Sequence, residues 1–183
     1  MSDSTVQKAE LRRMMKSRRA AGMHRPARDA ALAHRFFSLP SLADKRSFFI
    51  YCALAGEAAT APIAARLLQE GKEVYFPRTE GKEMYAVRFH GQPMRRGAFG
   101  ILEPEGERYA GDLEVCVLPL LAADENFGRL GYGGGFYDRF LSGKNIFKIG
   151  LCYDFQLVDT VPREPHDVLL DAIVTDKRIL IRR

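Results

Sequence analysis

The chain has 183 residues, 46% of them apolar and 28% charged, which excludes disordered and fibrous classes and suits one domain built on one core. A formal charge of +5 favours an anionic partner, and Lys8 to Arg28 holds eight Lys or Arg in twenty-one positions against a single acid, Glu10. No apolar run reaches membrane-spanning length, and Cys52, Cys116 and Cys152 are far apart without metal or redox spacing. A cytoplasmic protein with reduced core thiols is therefore expected, neither secreted nor membrane-bound.

Taken in order, residues 4–21 read as a helix with Val6, Leu11, Met14 and Met15 as an incomplete apolar stripe and Gly22 as its stop. Lys8 and Arg12 lie four apart on one face of it, where like charges repel by a few tenths of a kcal/mol unless an anion joins them. A second helix covers 26–37. Residues 47–53 (SFFIYCA) form a continuous apolar run, the signature of a strand buried on both faces. A helix over 60–69 with Pro62 near its start and Gly71 as its stop, then a strand over 73–76, completes a unit long enough for a parallel crossover.

Residues 84–89 suggest a further strand, and 91–111 an irregular, Gly- and Pro-bearing connection of the length that usually serves function. Residues 113–119 (LEVCVLP) read as an interior strand, the segment from 135 or 136 to 142 as a helix, and 148–153 and 172–175 as closing strands. Strands alternating with helices predict an α/β fold, a single three-layer α/β/α domain over 1–183 with a mainly parallel sheet.

The most unusual stretch is 124–141, DENFGRLGYGGGFYDRFL. Gly131, Gly133, Gly134 and Gly135 fill four of five positions, and each costs roughly 0.5 to 1 kcal/mol against alanine in ordered structure. A strand-to-helix turn of this kind aims backbone N–H groups at phosphate, or else packs tightly on a neighbouring strand; both readings stand. It is neither a P-loop, lacking Gly-Lys-Ser/Thr, nor a dinucleotide fingerprint, since Phe136 occupies the third glycine position. Arg129 can fork onto phosphate oxygens. Asp138 suits either a hard cation such as Mg2+ or the helix macrodipole. No Ser-His or Cys-His constellation is visible.

The run RLGYGGGFYDRFL at 129–141, with PLLAAD at 119–124 before it and Lys8-x-x-Leu11-Arg12 near the start, closely resembles the 5-formyltetrahydrofolate cyclo-ligase family, also called 5,10-methenyltetrahydrofolate synthetases. YCALAGEAAT, FPRTEGKEMYAVRF, GILEPEG and VPREPHDVLLDAIVT match in order, so the resemblance spans nearly the whole chain. It implies Mg-ATP-dependent conversion of 5-formyltetrahydrofolate to 5,10-methenyltetrahydrofolate with release of ADP and phosphate. It implies an ATP site of Lys8, Ala9, Glu10, Leu11 and Arg12 with Arg129, Leu130, Gly131, Tyr132, Gly133, Gly134, Gly135, Phe136 and Tyr137. Arg129 and Lys8 would act in catalysis and Asp138 would bind magnesium. Cys52, Glu57 and the stretch Tyr132, Gly133, Gly134, Gly135 and Phe136 would touch the folate.

Two positions depart from the family pattern: Phe136 replaces a frequent Tyr, and Ala123 a frequent Phe, which is expected to loosen packing under the turn. Asp124 is expected to be a turn residue, and His166 and Asp167 match the family tail without a catalytic role. A monomer with no nucleic-acid or membrane partner is expected. The competing readings are a basic nucleic-acid-binding module and a nucleotide-binding paralogue with another substrate.

Overall fold

The computed structural model describes residues 3–20, 25–165 and 167–183. Its elements are α1 (Asp3–Ala20), α2 (Pro26–Phe37), β1 (Ser47–Ile50), α3 (Ala61–Gln69), β2 (Glu73–Glu80), β3 (Glu83–Phe89), β4 (Met94–Arg96), β5 (Leu102–Pro104), β6 (Val115–Leu118), β7 (Ala122–Ala123), β8 (Arg129–Leu130), α4 (Phe136–Leu141), β9 (Phe147–Leu151), β10 (Ala172–Val174) and β11 (Ile179–Ile181).

Seven strands form one sheet in the order β11-β10-β9-β6-β1-β2-β3. The inner five are parallel, and β3 and β11 close the two edges antiparallel. After β2 the chain returns to the other side of β1 as β6, so the winding reverses between β1 and β6. Open α/β sheets leave a crevice beyond the carboxyl ends of the two strands at such a reversal.

Continuous apolar strands need cover on both faces. Phe48, Ile50, Val74, Val115 and Val117 pack against Leu32 and Phe36 of α2 and Ile63 and Leu67 of α3. Phe49, Tyr75, Cys116 and Leu118 face the opposite layer, where Leu141 of α4 is joined by Leu113, Ile146 and Leu170 from irregular segments. Each large side chain so buried contributes roughly 1.5 to 3 kcal/mol. The second outer layer is therefore one short helix plus coil, thinner than a pair of long helices. A separate cluster of Met15, Leu121, Ala122, Leu130 and Val161 seats α1.

Several boundaries differ from the sequence expectation. The expected stripe on α1 is wrong at two positions: Val6 and Met14 are exposed, while Lys8, Met15 and Arg19 are buried. Its expected end at Ala21 and Gly22 lies outside the described residues, as does His166. The strand expected over 73–76 runs on to Glu80, because residues 77–80 pair with β3 alone, where Pro77 needs no donor on its far side. The stretch 91–111 is not wholly irregular; β4 and β5 make a small antiparallel ribbon within it. The edge strand β11 was not foreseen.

Candidate active site

A cleft of about 550 Å3 opens beyond the carboxyl ends of β1 and β6. Tyr51, Cys52, Leu54 and Glu57 reach it from the loop after β1, and Pro119 from the end of β6. β7 and β8 pair Ala122 with Leu130 and Ala123 with Arg129, lifting the chain into the glycine turn that floors the cleft. Asp124 makes that lift possible. Its Oδ1 accepts the N–H groups of Asn126 and Gly128 at 3.0 and 2.8 Å, and Oδ2 accepts that of Val161 at 2.7 Å. Such side-chain acceptance of local N–H groups is what an Asx turn requires. Ala123 is fully buried and bridges to Leu157, so packing under the turn is closed there rather than loose.

Within the turn, Gly133 and Gly135 adopt φ of +101° and +65°, which residues with a Cβ rarely enter. Gly135 leads directly into α4. Gly131 and Gly134 are ordinary in φ but crowded, since a Cβ would meet Arg129 Nη1 at 3.2 Å and the Phe136 ring at 2.9 Å. Arg12 Nε donates to the Gly131 carbonyl at 2.9 Å, docking α1 on the turn.

Arg129 Nη2 donates to Asp138 Oδ1 at 2.6 Å, with the arginine side chain 5% exposed and the aspartate 24%. Arg129 Nε is buried and finds no hydrogen-bond partner among the described residues. Asp138 Oδ1 also accepts the Val168 N–H at 3.4 Å. Lys8 Nζ sits 2.9 Å from Glu164 Oε2 and 2.6 Å from Asp167 Oδ2. Burial alone would lower the Lys8 pKa, but hydrogen bonds to Asp167 and Glu164 outweigh it and hold the ammonium above its ordinary value.

Tyr132 links three elements: Arg19 of α1 donates to its hydroxyl, and the hydroxyl donates to Glu57. Burial, then the Glu57 carboxylate, push the Tyr132 phenol well above its ordinary pKa. Glu57 Oε2 accepts the Leu54 N–H at 2.7 Å, closing the loop after β1. Burial, then Glu103, push the Cys52 thiol up to about 12, so it lines the cleft as an apolar group and not as a nucleophile.

Of the residues singled out in the sequence, Lys8, Arg12, Cys52, Glu57 and the whole run Arg129, Leu130, Gly131, Tyr132, Gly133, Gly134, Gly135, Phe136, Tyr137 and Asp138 line this one cleft. Ala9, Glu10 and Leu11 do not: Ala9 and Glu10 point outward, and Leu11 packs with the Met15 cluster. Sequence reasoning missed Phe99, Ile101 and Pro77 of the lining, with Thr5, Tyr51, Leu54, Pro119 and Glu164, and it missed Arg19, which reaches Tyr132 from α1. The Phe99 ring meets Phe136 edge-on at 5.7 Å. Arg19 had a signal, since residues 8, 12 and 19 recur at helical spacing on one face.

Among the described residues no cluster of three or more His, Cys, Asp or Glu is arranged to hold a metal ion. No helix among them is long and apolar enough to cross a membrane.

The strand order and the charged, glycine-floored cleft at the winding reversal define an α/β protein with a candidate ligand cleft at the carboxyl edge of a mostly parallel sheet. Within that class the chain belongs to the 5-formyltetrahydrofolate cyclo-ligase family, whose pattern it matches over residues 4–176. It is 33% identical to the 5-formyltetrahydrofolate cyclo-ligase of Haemophilus influenzae over 141 residues, 70% of this chain and 75% of that one. It is 32% identical to the Escherichia coli K12 enzyme of the same name over 158 residues, 80% of this chain and 87% of that one. Among solved structures, Aquifex aeolicus 5,10-methenyltetrahydrofolate synthetase superposes with a TM-score of 0.85 at 33% identity, covering 95% of this chain and 92% of that one.

Proposed function

We propose that the chain is an ATP- and Mg2+-dependent 5-formyltetrahydrofolate cyclo-ligase, acting as one domain and as a cytoplasmic monomer. The observation that carries this reading is the convergence of Lys8, Arg12, Arg129 and Asp138 on a glycine turn inside one cleft, in a chain of that family. The relatives' shared name supplies the reaction, 5-formyltetrahydrofolate to 5,10-methenyltetrahydrofolate.

A formamide oxygen is a poor leaving group, so phosphoryl transfer from ATP to it precedes ring closure by N10, and ADP and phosphate leave. In-line transfer needs position and charge stabilisation more than a protein nucleophile. Arg129 is suited to that work because its ion pair with Asp138 fixes the guanidinium in one orientation before any ligand binds. Lys8 and Arg12 would hold nucleotide phosphates from α1. To do so, phosphate oxygens would replace Glu164 and Asp167 as the partners of Lys8 Nζ. Glu57, Cys52 and the residues from Tyr132 to Phe136 would receive the folate.

Mg2+ fits the donor set without a protein cage. Asp138 is one partly exposed carboxylate beside the turn, and Mg2+ commonly takes one or two carboxylates with substrate phosphates and waters. Bound there it would supply charge neutralisation of the phosphates, while Arg129 and the turn orient them. Lys8, Arg12 and Arg19 are directed into the cleft and its floor, which favours a small anionic ligand there, while Arg13, Lys16 and Arg18 are exposed. The test is direct: followed continuously at mildly acidic pH without an acid quench, near-ultraviolet absorbance of methenyltetrahydrofolate should appear from 5-formyltetrahydrofolate only when enzyme, ATP and magnesium are all present. No product under those conditions overturns the proposal.

A further inference from the structure

Positioning and charge account for phosphoryl transfer, but ring closure also leaves a proton on N10 that must be removed. Arg19, Tyr132 and Glu57 form a directed hydrogen-bond chain on the cleft wall. Arg19 Nη1 donates to the Tyr132 oxygen, and the Tyr132 hydroxyl donates to Glu57 Oε1. Arg19 Nη1 and Glu57 Oε1 are 3.9 Å apart, and the Arg19 guanidinium carbon lies 5.6 Å from the Tyr132 ring centroid. The Arg19 and Glu57 side chains are 10% and 6% exposed, whereas Tyr132 is 41% exposed and lines the cleft.

This arrangement gives the hydroxyl a direction. A phenol has one proton and an oxygen that accepts. The proton is committed to Glu57, and Arg19 occupies one accepting position, leaving the rest of the oxygen toward the cleft. Glu57 cannot swing away, because its other oxygen is tied to the Leu54 N–H. Burial keeps the phenol protonated at neutral pH, so it passes a proton on only as it receives one.

We propose that Tyr132 and Glu57 form a proton relay for ring closure, with Arg19 as the positioning residue that holds it. The proposal rests on the cyclo-ligase reading. N10 attacks the carbon of the phosphorylated formyl group, forming the C–N10 bond and placing positive charge on N10. The N10 proton moves to the Tyr132 oxygen as the Tyr132 proton moves to Glu57 Oε1, leaving a neutral phenol and a neutral carboxylic acid. The C–O bond to phosphate then breaks, its electron pair leaving with the phosphate, while a nitrogen lone pair completes the methenyl product. Glu57 returns its proton to solvent.

The test compares wild type with Tyr132→Phe, Glu57→Gln, Arg19→Lys and Arg19→Met, following ADP and methenyltetrahydrofolate together. General-base removal costs about a hundredfold or more. Tyr132→Phe and Glu57→Gln should therefore lower methenyl formation by about that factor while the first equivalent of ADP still forms quickly, giving a burst of ADP ahead of product in the first turnover. Arg19→Lys should recover part of the rate lost in Arg19→Met, with KM for both substrates nearly unchanged. Product formation at the wild-type rate in Tyr132→Phe and Glu57→Gln, or first-turnover ADP slowed as much as product in both, overturns the relay. If wild type itself makes no methenyltetrahydrofolate, the cyclo-ligase reading fails, and the relay falls with it.

Discussion

On one wall of the cleft, Arg129 is almost wholly buried and bonded to Asp138, Lys8 is held by two carboxylates, and Arg12 is bonded to the backbone of the turn. On the other, Phe99 is 69% exposed at the tip between β4 and β5, has a φ of +64°, and meets the ring of Phe136. The difference follows from what each wall is made of. A buried charge without a partner costs several kcal/mol, so the polar wall must be braced before any ligand arrives. An aromatic wall has no such requirement and stays adjustable. On the proposed reading, the braced wall would serve phosphoryl transfer and the other would receive the large ring system.

The sharpest way to break this contrast is Arg129→Ala. Losing a fixed charge stabiliser costs roughly two to three orders of magnitude in kcat. Steady-state kinetics should show that drop, with thermal unfolding confirming a folded protein. Lys8→Ala should come next. A charge-assisted contact to phosphate is worth about 1.5 to 3 kcal/mol, so KM for ATP should rise at least tenfold while KM for the folate stays nearly constant. Phe99→Ala should cost less, about 0.5 to 1.5 kcal/mol of ring contact, read as a few-fold weaker folate affinity by titration with ATP affinity unchanged.

The smallest effect lies outside both walls. Glu114 Oε2 accepts the N–H groups of Arg46 and Ser47 at 2.7 and 3.0 Å, pinning the start of β1 to β6. The Arg46 backbone bond leads in holding this carboxyl below its ordinary value of 4.5. A lowered folded-state pKa means that ionisation favours the fold. The stabilisation is therefore complete above the unfolded-state value and is lost as pH falls through the lowered one. Glu114→Gln should cost about 1 kcal/mol at pH 7, less than a fully buried charged pair because the carboxylate is partly solvated. The gap to wild type in denaturant unfolding should close as the pH falls below about 4, with turnover unaffected.

Much of the braced wall was legible because its parts are local in sequence: Arg129, the four glycines and Asp138 lie within ten residues. The strands β1 and β6 were legible as runs apolar on both faces. What could not be read was direction and distance. The acids facing Lys8 lie 156 and 159 residues downstream, and no local pattern joins them. Arg19 shares a helical face with Lys8 and Arg12, but that spacing does not say that its partners are Tyr132 and, through it, Glu57. Phe99 adopts a backbone conformation usually left to glycine, between Gly97 and Gly100, where an irregular segment was all that composition implied.

The central claim is that one glycine turn floors both substrate sites. Gly133 tests it, because φ there is +101° and an added Cβ would stand 3.5 Å from the Arg12 guanidinium carbon, inside the cleft. Calorimetric titration of Gly133→Ala with Mg-ATP and, separately, with 5-formyltetrahydrofolate should show both dissociation constants weakened about tenfold, equivalent to about 1.4 kcal/mol each. Weakening of one ligand with the other unchanged, or no change in either, would contradict a shared floor.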